Sequence, residues 1–170
     1  MNFTKKCVAA AALCMISAVS FAETKIAVLN VQGAVFQTAT AKAKFAKLEK
    51  SPDFAAAKLK LDGIQTDAKL LTESYKKESS TWAPEKKADA EKKLQGFSQE
   101  YEFNAKKLKD SQNEVAQQVM QELGAKLEAA VKQVIDAEKI GLVLNSQAAM
   151  HASPEYDITA KVTDLINKAK

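Results

Sequence analysis

The sequence contains no arginine, one histidine and two cysteines, and these shortages exclude several kinds of functional site. Without arginine, the chain lacks the planar bidentate group that reads guanine and grips phosphate, so we expect no nucleic-acid partner. One histidine, His151, leaves no histidine cluster for zinc. The five glycines of the chain are scattered, so the sequence contains no glycine-rich phosphate loop. We therefore predict no catalytic residue, no metal and no cofactor, and a protein that is not an enzyme.

Both cysteines, Cys7 and Cys14, lie in a segment with the features of a secretory signal peptide, residues 1–22. Two lysines precede an apolar run, and Ser20 and Ala22 provide the small residues of a cleavage site. The alternative is a retained membrane anchor, but the run is shorter than the ~20 residues that a spanning helix needs. We expect export from the cytoplasm, cleavage after Ala22, and a chain without disulfides or a thiol nucleophile.

Lysine and acidic residues are unevenly distributed along the remaining chain, 23–170. Residues 42–109 hold 16 lysines and 11 acidic residues, whereas 23–41 and 110–170 together hold 7 and 10. Such asymmetry indicates that the central part meets an anionic surface or ligand, although a solvated helix surface with charges of both signs explains it equally well.

Apolar runs near the two ends predict short strands. Lys25–Val31 is nearly continuous in apolar residues, is rich in β-branched ones and is too short for a buried helix, and Ile140–Leu144 is a second apolar run. A third strand is predicted at Ala148–His151. We expect a helical stretch over about 34–50 and a last helix that opens at Asp157. Isolated short strands are marginally stable, which favours assembly with other copies.

Between these runs, apolar residues recur at alternating steps of three and four, the a and d positions of a left-handed coiled coil. The first set begins after Ser51, which is placed to cap a helix ahead of Pro52. We call these a and d positions the seam. The seam positions of the first helix are Phe54, Ala57, Leu61, Ile64, Ala68, Leu71 and Tyr75.

A turn near Trp82 should lead into a second long helix, from about 85 to 137, with Thr81 as its cap and Pro84 in its first turn. Its seam positions are Leu94, Phe97, Tyr101, Asn104, Leu108, Ser111 and Val115. The two helices should therefore pair within the chain as an antiparallel hairpin. The second would be about 80 Å long, too long for a compact domain of this size, so the hairpin must project.

We thus predict a mainly α fold with a small β body, from which a long antiparallel helical hairpin projects as a coiled-coil arm. Residues 23–170 form one domain, in which the body is 23–50 with 116–170 and the arm is 51–115. Asn104, Ser111 and small alanines make the seam thin, and Gly63 and Gly96 lie within its helices. These features favour an arm that bends, although glycine also permits close helix approach.

Exposed aromatic side chains on the arm are candidates for low-specificity contact with apolar chain segments. Trp82 is expected at the tip, where it is hard to bury, and Phe103 lies off the seam and should face outward. The candidate contacts are Trp82, Phe97, Tyr101 and Phe103.

A strand KIAVLNV followed by Phe36-Gln37, a long helical hairpin, IGLVLNS, and a terminal YDITAKVTDLINK together resemble the Skp/OmpH family of periplasmic chaperones. The resemblance covers nearly all of 23–170. It implies a homotrimer whose helical hairpins enclose a cavity, in which unfolded outer-membrane proteins are held without ATP.

The same resemblance implies roles for two sets of residues. The residues that would build the trimer body are Ile26, Val28, Leu29, Leu142, Val143 and Leu144. The family's link to lipopolysaccharide, or to an anionic membrane surface, would involve Lys86, Lys87, Lys92 and Lys93. Two alternatives to a holdase are a structural coiled-coil adaptor of the cell envelope and a protein that binds lipopolysaccharide or lipid. A thin seam favours the holdase, because an adaptor would need a well-packed one.

Overall fold

The computed structural model describes residues 25–169, in which five helices are attached to a two-stranded sheet. The predicted signal peptide, 1–22, lies outside the described residues. The strands are β1 (Lys25–Leu29) and β2 (Ile140–Asn145). The helices are α1 (Val31–Phe36), α2 (Ala39–Glu49), α3 (Pro52–Glu78), α4 (Pro84–Glu138) and α5 (Thr159–Lys168). The predicted fold class is confirmed.

The first strand ends two residues earlier than predicted, because Asn30 caps a helix that begins at the next residue. The Asn30 side-chain oxygen accepts a hydrogen bond from the Gly33 N–H at 2.8 Å, which caps α1. A Cβ on Gly33 would lie 2.9 Å from Asn30 Cγ, so this close approach requires glycine. Val31, predicted as strand, is therefore the first residue of α1.

The single helical stretch predicted over 34–50 is wrong, since the chain turns between α1 and α2. Thr38 lies in the turn with 0% of its surface exposed. Its hydroxyl donates to the Val35 carbonyl at 2.7 Å and accepts from the Ala41 N–H at 3.2 Å. One buried threonine thus ends the first helix and caps the second. Its side-chain hydrogen bonds to the backbone compete with a continuous helix, and hydrophobic periodicity does not detect them.

The start of α3 follows the prediction, but the cap of α4 does not. Ser51 Oγ accepts from the Phe54 N–H at 3.4 Å, and Pro52 is the first helical residue. Pro84 likewise begins α4, but Ala83 occupies the cap position without a side-chain hydrogen bond. The prediction that Thr81 caps this helix is wrong, because its hydroxyl donates backward to the Glu78 carbonyl at 2.9 Å.

The two strands pair in parallel, although the whole arm separates them in the chain. Lys139 adopts a left-handed conformation (φ 53°), which ends α4 and turns the chain directly into β2. Register partners lie on the same side of a sheet. Ala27 and Val143 are partners on the side that packs on the core, whereas Ile26 and Leu142 are partners on the opposite side.

The predicted third strand at Ala148–His151 is wrong. Residues Ser146–Ala148 form a 3-10 turn instead. The free edge of β1 meets a segment further along the chain, where the Ile158 N–H donates to the Val28 carbonyl at 3.0 Å. Thr159 strengthens this junction, because its hydroxyl accepts from the Asn30 N–H at 2.9 Å. The last helix begins at Thr159, two residues later than predicted, and the Asp157 carboxylate accepts from the Thr159 N–H.

The hydrophobic core lies between the inner side of the sheet, α1, α5 and the C-terminal half of α4. Its fully buried large side chains include Val35, Val119, Ile158 and Val162. The core therefore unites residues from both ends of the chain, while most of α3 and the first half of α4 lie beyond it. This arrangement positions the arm.

Candidate functional site

Two polar contacts give the direction in which α3 and α4 pair along the arm. Near its base, Lys60 Nζ lies 3.5 Å from Glu100 Oε2. Near its tip, the Tyr75 hydroxyl donates to Glu91 Oε1 at 2.6 Å. As α3 advances, its partners on α4 move back along the chain, so the helices are antiparallel as predicted.

The seam is packed unevenly. Phe54, Ala57 and Ile64 are buried on α3. On α4, Tyr101 is 43% exposed although it occupies a seam position. The remaining predicted seam residues, apart from the buried Asn104, are half-buried: Leu61, Ala68, Leu71, Tyr75, Leu94, Phe97, Leu108, Ser111 and Val115. A groove of about 620 Å³ opens between the helices, with Phe54, Leu61, Tyr101 and Leu108 among its lining residues.

The polar seam residues make no hydrogen bond across to α3. Asn104 Nδ2 donates to the Glu100 carbonyl at 2.7 Å, one turn back on its own helix. Ser111 Oγ similarly donates to the Lys107 carbonyl at 3.0 Å. Both groups are satisfied within α4, so the middle of the arm is held mainly by a few apolar contacts.

The tip differs from the prediction that Trp82 would be hard to bury. Its indole is half-buried and meets the Tyr75 ring edge-on, with 5.7 Å between the ring centroids. Lys86 Nζ lies 4.0 Å from the centroid of the indole ring. Glu91 also raises the pKa of Tyr75, because its carboxylate accepts the phenol hydrogen bond. These side chains form a closed cluster at the turn.

The other predicted contact residues are spread along α4. Phe97 is half-buried in the seam, whereas Phe103 is 70% exposed, as its position off the seam predicts. Trp82, at the tip, lies far along the arm from both. The structure therefore provides separate apolar surfaces and no single pocket that gathers the four aromatic residues.

Two exposed leucines on α3 were missed by the sequence reasoning. Leu59 is 74% exposed and Leu70 is 60% exposed. They are eleven residues apart, about three helical turns, and so share a face. At 3.6 residues per turn, Leu59 lies about 160° around the helix from the seam residue Leu61. The sequence signal that could have found them is the presence of large apolar residues on the helix face opposite the seam.

The four lysines predicted to contact anionic lipid do not form one cluster. Lys86 lies against Trp82, and Lys93 shares its face about two turns later. Lys92 is about 120° around the helix from Lys86. Lys92 and Lys93 are exposed, and Lys87 is half-buried.

Side chains predicted to build a trimer divide between the two sides of the sheet. Leu29 is buried and Val143 packs against the core of the same chain. The opposite side, which we call the outer sheet face, consists of the exposed Ile26 (43%), Leu142 (47%) and Leu144 (37%). Val28 also lies on this side, but it is 7% exposed and lines a cavity with His151 and Asp157.

A cluster of charged side chains connects the end of α4 to α5 and to β1. Glu138 forms ion pairs with Lys161 of α5 and Lys25 of β1. Hydrogen bonds from Lys161 and Lys25 hold the pKa of the Glu138 carboxyl below its ordinary value. The cluster thus connects three elements of the body at the point where the arm helix meets the sheet.

Within residues 25–169, no group of histidine, cysteine and acidic side chains is arranged to hold a metal ion. No helix in this part of the chain is long and apolar enough to cross a bilayer.

Comparison with known proteins assigns the family. The family model for outer membrane protein (OmpH-like) matches residues 25–166. The chain belongs to the OmpH-like family. A curated relative, the Skp-like protein of Pseudomonas aeruginosa, is 29% identical over 151 residues, which cover 89% of each chain. Family membership confirms the resemblance read from the sequence and supports a chaperone role.

Among solved structures, one similar chain, from Caulobacter crescentus, is described as a putative outer membrane chaperone (OmpH-like). It has 19% sequence identity and a TM-score of 0.47, and the match covers 85% of each chain.

Proposed function

We propose that this OmpH-like protein is an ATP-independent periplasmic holdase. It binds unfolded outer-membrane proteins in a cavity between the helical arms of a homotrimer and prevents their aggregation. The observation that carries the proposal is the apolar surface of the arm: Leu59, Leu70 and Phe103 are each at least 60% exposed.

These exposed side chains suit a client that has no fixed structure. Singly exposed apolar residues are normal on a soluble protein, but here three large ones occur on a projecting pair of helices whose seam is itself incompletely packed. Each contact is weak on its own. Several weak contacts within one cavity raise the effective concentration of the client segments and so produce avidity without any strong site.

Trimer formation is supported by the outer sheet face. A two-stranded sheet is marginally stable alone, and this one exposes Ile26, Leu142 and Leu144 on one side. Covering that side with the sheets of other copies would remove apolar surface from water and would bring three arms together. The exposed residues of the arms, which are separate from this face, would remain free for the client.

The test compares the native chain with a shortened arm. Deleting 65–78 and 85–98 removes two heptads from each helix and keeps the turn, so the remaining seam stays in register. A urea-unfolded outer-membrane barrel protein is diluted into buffer with either chain, without ATP, and turbidity is recorded. We expect the native chain to suppress aggregation and the shortened chain to fail with large clients.

Light scattering must first confirm that both chains are trimers. Full protection by the shortened trimer would place the client site on the body and overturn the cavity. Failure of the native trimer to protect any unfolded barrel protein would overturn the holdase function itself. Complete loss of protection from one arm substitution would favour the adaptor, which needs a fixed docking site.

Contact with lipopolysaccharide or an anionic membrane remains a separate prediction, carried by the exposed Lys92 and Lys93 and by the lysine excess of 42–109. Vesicles that contain anionic lipid should retain the native chain at low salt. A chain with both lysines changed to glutamine should bind more weakly, and equal retention would remove these two from the contact.

A further inference from the structure

A shallow groove where α1 crosses α4 has an apolar floor and a rim of side-chain amides, which four of its seven lining residues carry. Its volume is about 400 Å³. Its lining residues are Gln32, Phe36, Asn113, Ala116, Gln117, Met120 and Gln121. None of them carries a charge, although 27% of the chain is charged.

The amide residues are placed on one side of α4 by their spacing. Asn113, Gln117 and Gln121 recur at steps of four, and therefore form a row along the helix. They belong to a stretch from 110 to 125 that contains no lysine. By contrast, Gln118 lies outside the groove, where its amide donates to Glu114 at 3.4 Å.

The floor of the groove is held in place by the core. Phe36 and Met120 are half-buried and pack against the hydrophobic core of the body. Phe45 meets the Phe36 ring edge-on at 5.9 Å, which restricts its orientation. The rim amides have no such restraint: within residues 25–169, those of Gln32, Asn113, Gln117 and Gln121 make no side-chain hydrogen bond to the protein.

An amide side chain presents one acceptor oxygen and two donor hydrogens, the same kinds of group that a peptide backbone presents. Every non-proline residue of an unfolded chain offers one backbone donor and one acceptor, whatever its side chain. A row of amides can therefore bind an extended backbone without selecting its sequence. The apolar floor beneath the row can accept a side chain that points toward it.

We propose that this amide-lined groove binds an extended, uncharged segment of the unfolded client through its backbone. Because no lining residue is charged, the groove suits an uncharged segment of alternating apolar and polar residues, such as a strand of the client. Only the two ends of such a segment would reach the charged surface around the groove. The groove adjoins α1 and α4, whereas the outer sheet face is turned away from both, so trimer formation through that face leaves it open. This inference rests on the proposed holdase function and adds a second mode of contact to the apolar surfaces of the arm.

The test separates backbone recognition from burial of side chains. The probes are a fluorescent eight-residue peptide of alternating valine and threonine, and the same peptide with alternate backbone nitrogens methylated. Methylation keeps every side chain but removes backbone donors. We expect the native trimer to bind the unmethylated peptide more tightly, by about fivefold for each hydrogen bond lost.

A double variant, Gln117→Met with Gln121→Met, keeps side-chain length and helix propensity but removes the amides. It should bind the two peptides equally. The matched control Gln118→Met, on the same helix but outside the groove, should keep the native preference. Circular dichroism and light scattering check that both variants fold and assemble as the native chain does.

A double variant that retains the preference would overturn the proposal, and so would a native chain that binds the peptides equally or binds neither. A change in oligomeric state confined to the double variant would show a contact between copies, which also overturns it. Suppression of barrel-protein aggregation by the native chain is measured in parallel. If the native chain suppresses aggregation but shows no peptide preference, only the proposal for the groove is contradicted. If it does not suppress aggregation, the proposed holdase function is contradicted, and with it the inference that rests on it.

Discussion

The ring of Trp82 meets the ring of Tyr75 edge-on, with their centroids 5.7 Å apart and their planes at 89°. The contact joins the end of the turn to α3, while Lys86 from α4 lies against the same indole. The only tryptophan of the chain therefore closes the tip of the hairpin in this structure. This role is separate from the client contact predicted for Trp82, and the two have different experimental consequences.

Replacing Trp82 with alanine should loosen the tip locally. An edge-to-face aromatic pair contributes about 1 kcal/mol beyond burial, and an exposed cation–π contact a similar amount. Backbone amides near the turn should exchange hydrogen faster, while those of the body remain protected. Tyr75→Phe, the control, keeps the ring contact and loses only the hydrogen bond to Glu91, so its effect should be smaller. Unchanged exchange at the turn in Trp82→Ala would contradict the structural role.

The ion pairs of Glu138 should make the stability of the body depend on pH. Its pKa is lowered in the folded state, so the stabilisation is present above the ordinary glutamate pKa of about 4.3 and is lost as pH falls through the folded value. Glu138→Gln should therefore unfold at lower urea than the native chain at pH 7. The difference should shrink below about pH 4.

The measurement is the urea midpoint across this range at one fixed protein concentration, because the proposed assembly would itself contribute to stability. Glu128→Gln, an exposed position on the same helix, is the control and should show little change. A deficit in Glu138→Gln that stays constant down to acidic pH would show that the carboxylate charge is not the cause.

The two sides of the sheet should respond differently to an introduced charge. Val143→Asp places a carboxylate against the core and should unfold the body, since a buried unpaired charge is costly. Leu142→Asp changes the outer sheet face, which is exposed in the single chain, and should instead dissociate the proposed trimer. Leu59→Asp, on the exposed face of the arm, is the control and should leave assembly intact.

Circular dichroism and light scattering together separate these outcomes. A Leu142→Asp chain that still assembles as a trimer would contradict the use of this face. A stable folded monomer of the native sequence would contradict the trimer altogether.

Substitution of the exposed apolar residues of the arm should weaken client binding in small steps. Leu59→Ser, Leu70→Ser or Phe103→Ser should each cost about 1 kcal/mol, because each removes part of the apolar area available for burial. That corresponds to about fivefold in Kd, and the triple variant should lose most of the binding. Affinity for an unfolded barrel protein, measured by fluorescence anisotropy, provides the readout.

Lys69→Ser, at an exposed polar position next to Leu70 on α3, is the control for these variants and should have little effect. If the triple variant binds as the native chain does, the outward surface of the arm is not where the client is held.

How much of the site could be predicted depends on the range of the interactions involved. The heptad pattern predicts the hairpin and its seam, since side chains three and four residues apart share a helix face whatever lies elsewhere. It cannot show that Tyr101 stays 43% exposed while Ile64 is buried, because that depends on how closely the second helix approaches. The amide groove was missed for a similar reason: Gln32 and Gln117 belong to different elements, and only the fold brings them together.

The sequence by itself determined the mainly helical fold class, the α3–α4 hairpin and its start at Ser51, because periodicity and capping act within a few residues. Only the tertiary structure decided that the strands pair in parallel, that residues 148–151 do not join them, and that Ile158 meets Val28 instead. These outcomes depend on contacts between residues more than a hundred positions apart. Their free energy comes from burying one shared core, which no local pattern of residues records.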